Sequence, residues 1–587
     1  MYNTLVFSTT YEVTMFNAKN HKQLNMFDPW EYMGPKRRKE LDKSWAGLFR
    51  HKILKTLPVD KLRKHFHSSN GRPSKELYSM LGMMVLQQMH DLTDEQAVEH
   101  FSFNIKYHYA LDITGLSDAH SYVSLRTIWK MRQLLTEENL HEVLFEHINK
   151  KLAKIFKVDF KRQRLDSVHI QSNMRHLGRL SLFCKTIKKF LNNLKRHHRG
   201  QFDNLDKSLT ARYINKKEEA VFALVKPSQS HGTLSQIAQD IFSLVEEFKT
   251  KDACSMDSFK MLVRLFREQC IIEEHDGEKL IIAKPNKDVP SDSLQNPSDP
   301  DAGYSGHKGK GYSVQVMETY NAGNQPEGLS LITHVSVKSA DNSDAHALIP
   351  AIEDTKFNSM EPVEVLADSL YGSDDNYVSA KEEHGVTVIS PLRNPPQGLS
   401  LIDFKISNSG EILQCPERQV PFKVRFKKRF SASFLTSLCL KCPRSEQCPV
   451  SIDKKAAYYR YTLKDVRLAK RREYERSTKF HDKYRFRAGV EATMSEYDRV
   501  TGVKKLRFRG LTAVTYAAVM KAIGINIKRA AVFAYKQLTH DLNLSLGSLF
   551  IRLFNQIVHV KEQFQVLIVK FGTCLVNNDQ VVIFSRI

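Results

Sequence analysis

From Tyr312 onward the chain changes hydrophobic period in an order that admits few folds. Residues Tyr312 to Met317 alternate, and EGLSLITHVSVKSA follows beyond a turn at Asn321 to Gln325, the pattern of two antiparallel strands. NSDAHALIPAIEDTKF then reads as helix, VEVLADSLYG as strand, DDNYVSAKEEHG as helix and VTVISPL as strand. A hairpin followed by alternating helices and strands predicts an α/β fold, a mixed sheet flanked by helices. One further strand stands far upstream, in the extended run KVDFKRQRLDSVHI. A mostly helix-forming block from Asn173 to about Glu274 separates it from the rest, and Pro285 to Gly303, rich in Pro, Ser, Asp and Asn, reads as an exposed connector. The sheet must therefore tolerate a large insertion after its first strand.

Two of these strands carry an acidic residue, Asp166 and Asp368, and a third, Glu491, lies in YRFRAGVEATMSEYDRVTGVKKLRFRG, which begins as a basic helix. Two strand-borne carboxylates and one from a helix form the oxygen-ligand set that holds two Mg²⁺ or Mn²⁺ ions for in-line phosphoryl transfer. Any one of them alone is equally explained as a cap or a solubilising end. Composition favours the same chemistry: 88 Lys and Arg against 65 Asp and Glu leave a net charge of +23, which attracts a polyanion. A membrane surface is the competing partner. It is disfavoured by the lack of a signal-peptide pattern and of any uninterrupted apolar span of about 18 residues. The most apolar stretch, Leu511 to Ala534, is broken by Lys521, Lys528 and Arg529 and reads as a packing helix.

The first part of the chain reads as helical. Pro73 and Ser74 precede Leu77, Met80, Leu81, Met84 and Val85 at helical spacing, Thr93 and Gln96 form a capping-box pattern, and a third helix opens near Ser124 with Arg126, Lys130 and Arg132. Short helices ending in a basic one fit a helix-turn-helix and an ordinary bundle equally. The cluster Lys188, Lys189, Lys195, Arg196 and Arg199 reads as a solvated face or a phosphate track. Cys415, Cys439-x-x-Cys442 and Cys448 suggest one tetrahedral structural Zn²⁺, with buried unliganded thiols as the alternative. Their neighbourhood is rich in cations: Lys423, Arg425, Lys427, Lys428 and Arg429.

Tyr484-x-x-Arg487-x-x-x-Glu491, followed by Arg499 and the basic residues Lys504, Lys505, Arg507 and Arg509, resembles the tyrosine, arginine, glutamate signature of DDE transposases encoded by bacterial insertion sequences. DPDAGYSGHKGKGYSVQV and ADSLYGSDDNY resemble these enzymes too, as do QLNMFDPWEYMGPKRRKELDKSWAGLFR with GRPSKELYSMLGMMVLQQMHDLTDEQAVEHF, and the cysteine-rich pattern. The resemblance spans roughly residues 24 to 530; the segment before Met15 and the apolar tail from about Leu542 lie outside it.

The resemblance implies an RNase H-like core with Asp166, Asp368 and Glu491 as catalytic and Mg²⁺ or Mn²⁺-binding residues. Tyr484, Arg487, Arg499, Lys504, Lys505, Arg507 and Arg509 would contact DNA. The implied activity is cleavage of double-stranded DNA at terminal inverted repeats and transfer of the 3′ ends into target DNA. It also implies a homo-oligomer on paired ends, in the cytoplasm with the nucleoid. The expected division is a helical DNA-binding domain over 24–150, the first core strand over 155–175, a helical insertion over 176–284 and the core resumed over 300–395. A zinc-binding Cys-rich insertion over 396–465, the Glu-bearing helix and end of core over 466–535, and a tail over 536–587 complete it. One departure stands out: the Lys usual seven positions after the Glu is Asp498 here, with Arg499 next. A metal-dependent nuclease without strand transfer and a non-catalytic, transposase-derived DNA-binding protein are the rival readings.

Overall fold

The computed structural model describes residues 15–20, 28–67, 73–174, 176–214, 225, 230–275, 278–322, 328–393 and 397–576. Some expectations lie outside these residues: the segment 1–14, positions 24–27 of the first domain, much of 215–229 in the helical block, 323–325 of the hairpin turn and 577–587 of the tail.

Six principal helices precede the first strand: α1 (Pro35–Lys43), α2 (Leu77–Met89), α3 (Asp94–Phe103), α4 (Ile105–Leu111), α5 (Leu125–Glu137) and α6 (Leu140–Phe156). Thr93 and Gln96 form the expected capping box on α3, and Ser124 caps α5. The start of α2 differs from the sequence reading. Glu76 caps it by accepting from the amides of Tyr78 and Ser79, while the Ser74 hydroxyl accepts from the Asn17 amide. A carboxylate satisfies two free helix amides at once and complements the helix dipole, which a serine hydroxyl does less well.

β1 (Arg162–Gln171) follows, and then the insertion: α7 (Arg179–His197), α8 (Ser230–Phe248), α9 (Asp257–Gln269) and an antiparallel hairpin, β2 (Cys270–His275) with β3 (Glu278–Ala283). Phe183, Phe190, Ile241, Phe248 and Leu262 give the insertion its own apolar core. The sequence reading missed the hairpin.

The main sheet then resumes with β4 (Gly303–Ser305), β5 (Gly309–Thr319) and β6 (Ile332–Ser339). After α10 (Leu348–Phe357), β7 (Glu364–Leu366) and α11 (Asp374–Glu382), it ends at β8 (Thr387–Ile389). Its order is β4-β5-β1-β7-β8, with β6 also pairing with β5; β5 is antiparallel to β1 and β6, and β1, β7 and β8 run parallel. One face, with Leu165, Met317 and Val365, is covered by α10 and α11. The other, with Val168, Val314 and Val316, packs on the N-terminal helices and the C-terminal segment. Pro285 to Gly303 is not simply exposed. Leu294 and Asp299 are fully buried, and Asp299 accepts from Ser172, Tyr312 and the Gly510 amide. Three partners distant in sequence pull this polar strap into the body.

After the main sheet come β9 (Lys405–Ile406) paired with β10 (Ile412–Gln414), and a small sheet of β11 (Lys423–Phe426), β12 (Phe430–Phe434), β13 (Ser451–Ile452) and β14 (Ala457–Tyr461) in the order β11-β12-β14-β13. Four helices close the described chain: α12 (Leu463–Glu475), α13 (Thr478–Tyr484), α14 (Gly489–Thr501) and α15 (Leu511–Val576). From Val514 to Ala531, α15 is largely buried, the packing role expected of it. Its Asn526, with Asn149 of α6, bonds the backbone of Ile332, where β6 slips register against β5. Buried amides thus satisfy backbone groups that the bulge leaves unpaired. Among the described residues no helix is long and apolar enough to cross a membrane.

Candidate active site

The parallel register of β1 and β7 runs from Arg162 opposite Glu364 to Arg164 opposite Leu366. Two residues further along each chain stand Asp166 and Asp368, which the sheet brings to its same end, near enough for Asp368 to act on the Asp166 carboxyl. Asp166 shares its face with Val316, its partner across β5, and that face is covered by α14 through Val490 and Met494. Asp368 has left the strand, and its Oδ1 accepts from the Leu370 amide at 2.7 Å.

Arg487, in the turn before α14, joins the acidic groups. Its Nη2 donates to Asp166 Oδ2 at 2.7 Å and its Nη1 to Glu491 Oε1 at 3.3 Å, while Nε is buried with no hydrogen-bond partner among the described residues. Burial pushes the Asp166 carboxyl above its ordinary pKa; Arg487 and the Ser167 amide pull it back, and Asp368 adds to the rise. Tyr484 is half-buried, stacked on Phe480 with ring centroids 5.1 Å apart. Burial raises its phenol, as do Asp368 and Asp166, both close enough to act on it.

Asp166 and Asp368 are the hard oxygen donors that Mg²⁺ or Mn²⁺ prefers, and a cation between them would relieve their mutual repulsion. Glu491 is not drawn in to the same degree. Its side chain is 72% exposed, and among the described residues no group of three or more His, Cys, Asp or Glu is gathered tightly enough to hold a metal ion.

What fixes α14 over β1 is a buried charge network that the sequence reading missed. Glu318 of β5, wholly buried, accepts from Arg164 Nε at 2.7 Å, from Arg529 Nη1 at 2.8 Å and from the Thr493 hydroxyl at 2.7 and 2.8 Å. Arg164 also donates to the Phe486 carbonyl at 2.7 Å, and Arg529 bonds Glu496. Burial alone would lower the Arg529 guanidinium, but Glu318 and Glu496 outweigh it and hold it above its ordinary value. Alternation along β5 marks Glu318 as inward-facing; nothing local names its partners.

The basic residues divide. Arg499, Lys504 and Lys505 are exposed, but Lys504 pairs with Asp498 at 3.6 Å, and Asp498 also accepts the Lys504 amide at 3.2 Å. Arg507 is committed to Asp91, and Arg509 donates to the Asn173 carbonyl at 3.1 Å. In α5, Arg126 and Lys130 are exposed whereas Arg132 is bound to Asp94.

Cys415, Cys439, Cys442 and Cys448 are free thiols lining one cavity of ≈ 40 Å³ with Phe434, Leu438 and Val450. Burial, then the three neighbouring thiols, raise the Cys439 thiol. The four converge without reaching metal-binding closeness. Lys423, Arg425, Lys427, Lys428 and Arg429 are all exposed on the β11–β12 hairpin.

Residues 414–531, which include the four cysteines and Glu491 but neither Asp166 nor Asp368, match the family described as Transposase DDE domain. Residues 39–134, from α1 into α5, match the family described as Transposase domain (DUF772). No curated protein matches the chain. The two family matches together indicate an insertion-sequence DDE transposase.

Proposed function

We propose that the chain binds the terminal inverted repeats of its element and cleaves and transfers DNA strands at Asp166, Asp368 and Glu491, on an RNase H-like core. The observation that carries this reading is the register that brings Asp166 near Asp368, beneath α14, which carries Glu491, and the turn before it, which carries Arg487. A six-stranded mixed sheet in which β1 lies between antiparallel β5 and parallel β7 supports the RNase H-like assignment.

Asp166 and Asp368 would hold Mg²⁺ or Mn²⁺, with Glu491 completing the set by turning its exposed carboxylate inward. When bound, two such ions activate a water or 3′-hydroxyl and stabilise the leaving oxygen. Arg487 orients a strand phosphate through its fork, whose buried Nε is a spare donor, and a phosphate competes with Asp166 for that fork. Tyr484 flanks the same position. Arg499, Lys504 and Lys505 extend an exposed cationic track from α14, and Arg126 and Lys130 of α5 offer another for repeat binding. Cys415, Cys439, Cys442 and Cys448 would hold one structural Zn²⁺ on drawing closer together, and the ion would then fix the hairpin carrying Lys423 to Arg429. Paired ends call for a homo-oligomer, working on DNA in the cytoplasm.

A strand-transfer assay tests the reading, using labelled DNA ends taken from the sequence flanking the gene, with Mg²⁺. Cleavage followed by joining is expected. Cleavage without joining would make the chain a nuclease, and a mobility shift without products a binding protein. Glu491→Gln should keep the shift and lose cleavage, because an amide is a poor ligand for a hard cation; retained cleavage would sink the assignment.

A further inference from the structure

The main sheet carries a fourth carboxylate near the site, Asp344, at the start of the short turn of helix that follows β6. It lies on the face of β1 opposite Asp166, since its partners Ser167, Ser313 and Gln315 all alternate away from Asp166 and Val316. Asp344 Oδ2 accepts from the Ser167 hydroxyl at 2.8 Å and from Lys308 Nζ at 3.5 Å; Oδ1 accepts from Ser313 at 3.0 Å and from Gln315 Nε2 at 2.6 Å. Four donors fill the lone-pair sites of one carboxylate. No acceptor is left over for a metal ion, so the residue is placed as a support.

Two of these bonds lead towards the reactive carboxylates. Ser167 adjoins Asp166 and its amide donates to Asp166 Oδ1 at 2.8 Å. Gln315 accepts through Oε1 from the Tyr371 hydroxyl at 2.5 Å, and Tyr371, fully buried, ends the turn that begins at Asp368. Gly372, next in the chain, has no room for a side chain, because a Cβ there would lie 2.1 Å from the Ser390 hydroxyl. The turn carrying Asp368 is therefore clamped from both sides.

We infer that Asp344 is a positioning residue that sets the separation of Asp166 and Asp368 by tying β1, β5 and the Asp368 turn to one partly buried carboxylate. The inference rests on the proposed reading of Asp166 and Asp368 as metal ligands. Groups bonded directly to metal ligands typically change affinity by roughly 10- to 100-fold when removed; Asp344 stands one residue further out, acting through Ser167 and through Gln315 and Tyr371, so the lower end of that range applies.

The test is Mn²⁺ binding to the purified, DNA-free full-length chain, followed by the electron paramagnetic resonance of the free ion, for wild type, Asp166→Asn, Asp344→Asn and Ser167→Ala. Asp344→Asn should weaken Mn²⁺ binding at least about tenfold, and Ser167→Ala should weaken it less. The double variant should be no weaker than Asp344→Asn alone, because both changes cut the same tie. Circular dichroism and the midpoint of urea unfolding identify a variant that fails to fold; in that event the mild Ser167→Ala change decides, and Mn²⁺ affinity equal to wild type overturns the proposal. Loss of Mn²⁺ binding in Asp166→Asn with wild-type affinity in both support variants likewise refutes the positioning role while sparing the site. If Asp166→Asn itself binds Mn²⁺ like wild type, the metal reading falls and the inference with it.

Discussion

Glu318→Gln is the sharpest probe of how the Glu-bearing helix is held. The substitution preserves shape but removes a charge that is wholly buried and shared by Arg164 and Arg529, whose side chains are 12% and 13% exposed. Removing one partner of a buried ion pair costs about 3–5 kcal/mol, because the other charge is left desolvated and uncompensated. Glutamine keeps one acceptor for the Thr493 hydroxyl and Arg529 retains Glu496, so the lower end, about 3 kcal/mol, is expected. Urea unfolding followed by tryptophan fluorescence reads it, since Trp30 and Trp45 pack against the core that also contains Val316 and Met494. Function should follow stability in a specific way. Arg164 holds the Phe486 carbonyl and Glu318 holds Thr493, so both ends of the segment carrying Arg487 and Glu491 loosen. DNA cleavage should then fall further than DNA binding, because Glu318 itself faces no solvent. A loss under about 1 kcal/mol, the scale of an exposed pair, would refute the claim that this network seats α14.

Three further outcomes are expected. Gly489→Ala builds a Cβ 2.1 Å from Arg164 Nη1, and because that end is pinned by Glu318 and Phe486 it should cost about 1–3 kcal/mol as overpacking does and lower cleavage; unchanged urea unfolding would contradict the close approach. Burial raises the Asp166 carboxyl and Arg487 opposes the rise. A raised folded pKa means that Asp166 takes its proton at higher pH than a free aspartate, so Mn²⁺ binding should fade on acidification from above the ordinary aspartate range. Arg487→Gln should move that fade to still higher pH, and a shift to lower pH would show the sign to be wrong. Finally, native mass measurement should find one Zn²⁺ that disappears in Cys439→Ser, with the β11–β12 hairpin opening to hydrogen exchange before the main sheet; equal metal content in both proteins would remove the zinc reading.

Short apolar or alternating runs bounded by turn-forming residues made five of the sheet's six strands legible; β4, three residues at the end of the Pro- and Ser-rich stretch, was too short to show. The helix starts at Thr93 and Ser124 were legible for the same local reason. What was illegible depended on partners hundreds of residues away. Asp299 sits in a segment whose Pro, Ser and Asn content reads as solvent-exposed, yet it is buried by Tyr312 and Gly510. Asp344 reads from sequence as an ordinary residue at a helix start, and only the fold brings Ser167, 177 positions earlier, to its carboxylate. Asp166 within β1 and Asp368 just past β7 were legible only together with Glu491 and its surrounding motif; their adjacency came from the β1–β7 register, which no local signal carries.

The same distinction changes how the cationic residues should be counted. Of the seven residues that the resemblance makes DNA contacts, six are cationic, and two of these, Arg507 and Arg509, also make bonds within the fold. Arg507 and the buried Lys521 share Asp91, whose backbone is in the left-handed region at φ 52°, and burial lowers the Lys521 ammonium. Arg509 ties the start of α15 to Asn173 beyond β1. Asp498, standing where the family has a lysine, is occupied with Lys504. The charge displaced from that position is therefore carried next door by Arg499, which is exposed on the following residue of α14. One residue along a helix is a rotation of about 100°, so on the proposed reading Arg499 would reach a different phosphate from the one a lysine at position 498 would meet. On that reading the departure at Asp498 would redirect the helix's grip on DNA, while Val490, Met494 and Tyr497 keep it packed in place.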